Sequence, residues 1–380
     1  MTTQPVKGFR DYEGEEAEKR EAIRKILVET FDAYGFQPAE TPIIEFEEFV
    51  KGNQEQQDDD AISDVFKLKD RGKRELALRY EFTFQLKRLA NNKKLPYKRY
   101  QIGPVFRDEP VSENRFRQFT QCDVDTVGSA VKEEAEILAL TYEVLKKLGI
   151  EPVILINNRK LLNEVLDDND VKEKNKKQVL REIDKYEDVP EKQVREKLKT
   201  LGAESVLNSL KKGEKYFSLF PSYKEIISLI EYCKSYRIKV QFAPSVVRGL
   251  SYYNGNVFEI KAKEVKDTIV AGGSYEINGF PSTGISFGLE RICSIAKIKS
   301  EKEKYLIVSL EQDREAIKLA QKLRNKRESV SIYYGKPSKA LDYANSYNYN
   351  KVIFVGGKEL KSKKFMIKDM KSGKEVVLKI

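Results

Sequence analysis

The segment FRDEPVSENRFRQF, residues 106–119, puts three arginines and three phenylalanines into fourteen positions. RYQIGPVFRDE (99–109) runs into it and RFRQFTQCDVDTVG (115–128) runs out of it, both with strand character, and the polar stretch PVSEN joins them. The pair is expected to form an antiparallel hairpin. Strand alternation then places Arg115, Arg117 and Phe119 on one face, and Arg107 with Glu109 on a face of the partner strand. Guanidiniums bind phosphate oxygens bidentately and stay charged, while an aromatic ring offers a plate for a base. The hairpin therefore reads as a purine-nucleotide site.

Three further arginines, Arg79, Arg248 and Arg291, occupy similar apolar, strand-like surroundings. Several guanidiniums near one another need anions, and a triphosphate is the obvious candidate. A second group, Glu81, Thr83, Gln121, Asp125, Tyr252 and Tyr253, has the opposite character. Its carboxylates and amide suit an ammonium or a cationic ring, because buried acids require a partner. The glycines of AGGSYE (271–276) and STGISFGLER (282–291) let backbone approach a ligand closely.

The chain has 380 residues, 70 Lys and Arg against 60 Asp and Glu, a formal charge of +10 and no histidine. The length allows two or three domains, and the basic excess suits a polyanionic partner such as nucleic acid. Absence of histidine excludes Ser-His-Asp and Cys-His nucleophilic sites and His-ligated metals. Cys122, Cys233 and Cys293 form no CxxC pair, which excludes a Cys-based zinc site and makes the cytosol the natural compartment. No signal peptide and no run of about 18 apolar residues is present, so no membrane association is expected.

Along the chain, Glu15 to Tyr34 has the period of an amphipathic helix, with Ile23, Ile26, Leu27, Phe31 and Tyr34 on one face and Gly35 as its stop. Residues 52–64 are expected to form a mobile loop, and FKLKDRGKRELALR a hairpin turning at Asp70-Arg71-Gly72. Lys132 to Leu148 reads as a helix. From 157 to 237 strand signals give way to charged helical spacing. They return at KVQFAPSVVRGLSYYNGNVFEIKAK (239–263) and continue to residue 296. After 304 the order is β-α-β-α-β, a small parallel or mixed sheet. The expected fold class is α+β: an antiparallel sheet flanked by helices (1–156 and 238–300), a helical insertion (157–237) and a C-terminal α/β domain (304–380).

Taken in order, the motifs resemble those of the class II aminoacyl-tRNA synthetases, and of the histidyl-tRNA synthetases in particular. TPIIE (41–45) resembles motif 1, FRDEPVSENRFRQF motif 2 and GISFGLERI (284–292) motif 3. VRGLSYY (247–253) stands where the family has RGLDYY, AGGSYE where it has AGGRYD, and LRYEFT (78–83) resembles LRYDLT. Ser251, Ser274 and Glu276 thus depart from the family's Asp, Arg and Asp, and PVSEN lacks the basic residues that often meet the tRNA acceptor end. The resemblance spans essentially the whole chain, including KGFRDY (7–12) and an anticodon-binding-like C-terminal domain.

What the resemblance implies is an ATP-dependent histidine–tRNA ligase. It would make histidyl-adenylate and pyrophosphate, then pass histidine to the 3′ end of tRNA(His), with ATP and Mg²⁺ as co-substrates and a homodimer through motif 1. Arg248 and Arg107 would be catalytic. Arg107, Glu109, Arg115, Arg117, Phe119 and Arg291 would bind ATP. Glu81, Thr83, Arg107, Gln121, Asp125, Arg248, Tyr252, Tyr253 and Tyr275 would bind histidine. No resident metal site is implied. The competing expectation is a non-catalytic paralogue that regulates ATP phosphoribosyltransferase. That class typically lacks the C-terminal domain and loses motif arginines, whereas this chain has both.

Overall fold

A computed structural model describes residues 3–51, 65–112, 115–187, 189–248, 252–263, 265, 267–298, 303–362 and 364–378. The expected loop at 52–64 and Ser251 lie outside them. Two compact units are distinguished: residues 1–12 with 19–298, and residues 13–18 with 299–380.

Helix α1 (Gly14–Ala33), which belongs to the first unit from Lys19 onward, buries Ile23, Leu27 and Phe31 completely. Strands β1 (Gln37–Pro38) and β2 (Ile44–Phe46), helix α2 (Glu47–Lys51), strands β3 (Lys67–Lys69) and β4 (Glu75–Leu78) and helix α3 (Thr83–Leu89) follow. The hairpin turn falls at Asp70 as expected: Lys73 N–H donates to its carbonyl at 3.0 Å, and Arg74 pairs with its carboxylate. Next come β5 (Tyr97–Phe106), β6 (Gln118–Val127), helix α4 (Val131–Lys147) and β7 (Pro152–Asn158).

Six helices then run without an intervening strand: α5 (Arg159–Asp168), α6 (Glu173–Asp184), α7 (Glu191–Thr200), α8 (Glu204–Leu210), α9 (Glu214–Phe217) and α10 (Tyr223–Ser235). Asn158 caps α5, accepting from the N–H groups of Lys160 and Leu161. These helices share one hydrophobic core with the sheet, from Leu161 and Val179 to Leu229. Strands β8 (Val240–Phe242), β9 (Asn256–Ala262), β10 (Thr268–Ile277) and β11 (Phe280–Gly288) and helix α11 (Leu289–Ile295) complete the unit.

Eight strands form the main sheet in the order β1-β5-β6-β11-β10-β9-β7-β8. Only the short edge strands are parallel to their neighbours, β1 to β5 and β8 to β7. The sequence placed 243–255 within a strand-like run, but the described residues there form a connection, with Arg248 at φ +63°. A non-glycine residue adopts that conformation only at a cost of about 1 kcal/mol or more.

In the second unit, β12 (Lys304–Ser309), α12 (Asp313–Arg324), β13 (Ser329–Tyr334), α13 (Pro337–Ser346), β14 (Lys351–Val355) and α14 (Gly357–Ser362) give the expected alternation. A hairpin of β15 (Phe365–Asp369) and β16 (Glu375–Leu378) adds antiparallel strands, for the order β13-β12-β14-β15-β16. No helix among the described residues is long and apolar enough to cross a membrane.

Candidate active site

The motif 2 hairpin departs from its expected geometry. β5 ends at Phe106 and β6 begins at Gln118, so Arg107, Glu109, Arg115 and Arg117 lie in the connection and do not alternate on strand faces. The cause is the N-terminal segment. Arg107 N–H still donates to the Arg117 carbonyl at 2.9 Å, but the Arg117 N–H that would close that rung goes to the Gly8 carbonyl at 2.9 Å, which also accepts from Gln118 N–H at 3.2 Å. Gly8 sits at φ +89°, and a Cβ there would meet Arg117 Cγ at 2.8 Å.

A cavity of about 900 Å³ opens over the face of the main sheet. Of the predicted site residues, all but Arg117 line it: Arg107, Glu109, Arg115, Phe119, Arg248 and Arg291, and Glu81, Thr83, Gln121, Asp125, Tyr252, Tyr253 and Tyr275. Arg117 turns away to Asp108 (3.2 Å) and the Glu109 carbonyl, bracing the loop from behind. Arg79 is likewise structural. It is buried, donating from Nε to the Pro104 carbonyl (2.8 Å) and from Nη1 to that of Thr41 (2.7 Å).

The arginines converge. Burial lowers the Arg291 pKa; Asp267 opposes this, while Arg115 and Arg248 are felt as like charges that lower it further. Arg291 Nη1 donates to the Thr268 carbonyl at 2.6 Å. Arg107 lies 5.0 Å over the Phe119 ring and donates from Nε to the Tyr80 carbonyl at 3.3 Å. Arg248 Nε is buried with no partner among the described residues, and Arg115 stands 3.7 Å from Glu109. These guanidiniums repel one another and are incompletely satisfied by protein groups, so the cavity favours a polyanion.

The other end of the cavity is acidic and aromatic. Burial raises the Glu81 carboxyl to about 7, against the pull of Arg107 and of Tyr252, whose hydroxyl donates to it at 3.1 Å. Asp125 accepts from the Tyr275 hydroxyl and lies 2.9 Å from Arg99, which is fully buried. Tyr252, Tyr253 and Tyr275 cluster with ring centroids 4.8 to 6.4 Å apart. Two glycines make this pocket possible. A Cβ on Gly284 would lie 2.1 Å from Asp125 Oδ1, and one on Gly273 2.9 Å from the Tyr253 ring.

Sequence reasoning missed Arg99, Asp123, Ser286 and Glu290. Asp123 follows Gln121 and precedes Asp125 at a spacing of two, the one signal that could have found it. Glu290 accepts from the Thr120 N–H and from Arg20 (2.9 Å), tying motif 3 to motif 2. From α6, Lys174, Lys177, Gln178 and Arg181, with Lys185 just beyond its end, reach the cavity mouth, which helical periodicity alone did not disclose. Ser274 faces away from the cavity, donating to buried Glu134 at 2.5 Å, and Glu276 is exposed.

An antiparallel sheet that gathers arginines beside an acidic amino-acid pocket defines a class II aminoacyl-tRNA synthetase. A profile described as histidyl-tRNA synthetase matches residues 8–292, and one described as anticodon binding domain matches 298–380. The histidine–tRNA ligase 1 of Bacillus anthracis is 33% identical across 99% of this chain and 97% of its own. The histidine–tRNA ligase of Clostridium acetobutylicum is 32% identical across 92% and 91%. The chain belongs to the histidyl-tRNA synthetase family. Among solved structures, a histidyl-tRNA synthetase from Nostoc sp. PCC 7120 matches with a TM-score of 0.85 at 23% identity, covering 100% of this chain and 97% of its own. A Bacillus halodurans protein titled ATP phosphoribosyltransferase regulatory subunit/histidyl-tRNA synthetase gives 0.79 at 24% identity, covering 93% and 98%. Both support the fold.

Proposed function

We infer that the chain is a histidine–tRNA ligase, activating histidine with ATP to histidyl-adenylate and pyrophosphate and then transferring it to the 3′ end of tRNA(His). The observation that carries this reading is one cavity in which Arg107, Arg115, Arg248 and Arg291 face an acidic pocket lined by Glu81, Gln121, Asp125 and three tyrosines.

The nucleophile is the histidine carboxylate, already an anion, so its attack on the α-phosphorus needs no general base. Positioning and charge neutralisation carry the rate. Arg107 and Arg248 hold the α-phosphate and the attacking carboxylate. Arg115 and Arg291 take the outer phosphates, and Glu109 with Phe119 the adenine. Glu81 and Thr83 receive the α-ammonium, while Gln121, Asp125 and the tyrosines surround the imidazole. Magnesium enters with ATP, taking phosphate oxygens and water as ligands.

For tRNA the support is charge. Residues 304–380 hold 18 Lys and Arg against 8 Asp and Glu, so the whole formal +10 of the chain lies in the anticodon-binding segment. We assign 1–156 and 238–300 to the catalytic core, 157–237 to the insertion and 304–380 to anticodon binding. For a homodimer the support is an inverted strand. β2 buries Glu45 and exposes Ile44 and Phe46, and Phe46 sits in a cross-strand row with Leu76 and exposed Leu68. Such a sheet face needs a cover, and motif 1 lies on it. The reduced thiols and basic charge fit the cytosol.

Histidine-dependent exchange of pyrophosphate into ATP by the purified protein tests the reading. No exchange would reject it and favour the regulatory paralogue.

A further inference from the structure

β6 carries Gln121, Asp123 and Asp125 on one face, about 6.6 Å apart in succession, and all three line the cavity. Asp123 is 5% exposed, and its Oδ1 has no hydrogen-bond partner among the described residues. Among the described residues, neither cross-strand neighbour makes a hydrogen bond to that oxygen. On β11 the partner is Ser286, whose hydroxyl accepts from Gln121 Nε2 at 2.9 Å and serves one carboxyl oxygen of Asp123. On β5 it is Gln101, whose amide nitrogen is used on Thr41 Oγ1 at 2.7 Å.

The acids here are not evenly paired. Arg99 pairs with Asp125 at 2.9 Å, and Arg79 is a more distant cation felt across β5. Against them stand Asp123, Asp125 and Glu81, with Tyr253 also facing Asp123. Glu81 has Arg107 and Asp125 has Arg99, so Asp123 is the acid with no cation beside it, and a buried acceptor without a donor is costly unless it is protonated or a ligand supplies the missing group.

We propose that Asp123 is a specificity-determining residue of the amino-acid pocket, its unpartnered oxygen meeting a ring nitrogen of the imidazole side chain so that ring and carboxyl hold one proton between them. This rests on the histidine-activating reading of the cavity. A ring nitrogen and a carboxyl are matched when they share one proton: either the carboxyl donates to a bare nitrogen, or an N–H donates to the carboxylate. A phenyl, aliphatic or amide side chain cannot make that exchange. Asp123 thus adds a second acid to what Asp125 gives, since Asp125 accepts from Tyr275 through Oδ1 and faces Arg99 at 2.9 Å through Oδ2, whereas Asp123 has no cation beside it.

Supporting chemistry comes from the unliganded pocket. Burial first, then the Asp125 charge, raises Asp123 to about 8, with Arg99 opposing. In the empty enzyme near neutral pH the proton sits on Asp123 and the ring arrives neutral. Above about 8 the carboxyl is bare and the neutral ring's own N–H donates to it, so the contact persists with donor and acceptor exchanged.

The experiment is histidine-dependent ATP–pyrophosphate exchange at about pH 7 with the wild-type protein, Asp123→Asn and Asp123→Leu, reading KM for histidine and for ATP separately. Asp123→Asn keeps shape and a donor. Its amide can donate to a bare ring nitrogen or accept from a ring N–H, so it is expected to hold kcat/KM for histidine within about threefold of wild type. Asp123→Leu removes the contact and should lower kcat/KM for histidine about 10- to 100-fold, leaving KM for ATP within about twofold. Asp123→Asn as impaired for histidine as Asp123→Leu, or an unchanged histidine KM in Asp123→Leu, overturns the proposal. Wild-type protein without any exchange overturns the ligase reading instead. A shared loss of melting temperature and of ATP KM in both variants would make Asp123 merely structural and also reject the proposal.

Discussion

Replacing Arg248 by alanine should separate catalysis from stability. In the structure its guanidinium is not tied to the fold through Nε, which is buried without a partner among the described residues, and Arg291 feels Arg248 as a like charge. Removing it therefore relieves repulsion, and unfolding free energy should stay within about 0.5 kcal/mol of wild type or rise slightly. The backbone is a separate matter. Arg248 sits at φ +63°, so Arg248→Gly should be about 1 kcal/mol more stable than Arg248→Ala, because glycine adopts that conformation freely. Both variants lose a preorganised cation aimed where charge builds on the α-phosphate, and loss of one such donor lowers turnover about 10²- to 10³-fold. Urea unfolding gives the first quantities and pyrophosphate exchange at saturating histidine and ATP the second. Full activity in Arg248→Ala would refute the catalytic role. Destabilisation beyond about 1 kcal/mol would refute the claim that the side chain is held in readiness for a ligand.

Glu81 must be ionised to hold an ammonium, so kcat/KM for histidine should rise through about pH 7, with Glu81→Gln losing that step. The same raised carboxyl makes the empty protein less stable as pH increases. The contribution is flat below the ordinary 4.5, falls by about 3 kcal/mol up to about 7 and is flat beyond, which a melting series against pH reads directly. Gly284→Ala would drive a methyl into Asp125 and the Tyr275 hydroxyl, and histidine KM should rise at least about tenfold with ATP KM little changed. Phe46→Asp puts a charge on the exposed row of β2, and sedimentation should show a shift towards monomer.

Periodic signals carried most of the fold. α1 and α4 fall within two residues of their expected ends because their apolar faces repeat at helical spacing, and the Asp70-Arg71-Gly72 turn is set by local chemistry. Non-local bonding hid the rest. The motif 2 arginines leave the strands where a residue far away in the chain, Gly8, takes the Arg117 N–H that the next rung would use. Arg79 and Arg248 look alike in sequence, yet carbonyls of Pro104 and Thr41 claim the first while the second keeps a buried Nε unclaimed by any described residue. Arg99 could not be found at all: a fully buried arginine is unexpected until the acids on β6 are seen facing it. The β15–β16 hairpin went unread because its outer strand β16, with Val376 and Val377 partly in solvent, is an exposed edge without clean alternation.

A ligase for histidine that contains no histidine is chemically consistent, since imidazole would serve mainly as a base and the attacking carboxylate needs none. The polar work in the cavity falls to guanidiniums, whose charge does not change with pH, and to carboxyls held near neutrality by burial. The composition has a second consequence. Ribosomes making this chain never wait for the product of its own reaction, so its synthesis should continue when charged tRNA(His) is depleted and other messages stall at histidine codons. Pulse labelling during histidine starvation, with the natural chain compared against a version carrying several surface histidines at equal message level, measures this. Continued labelling of the natural chain with loss of the substituted one is the expected result. Equal decline of both would show that the missing residue gives no advantage in synthesis and that the active-site chemistry alone has to account for its absence.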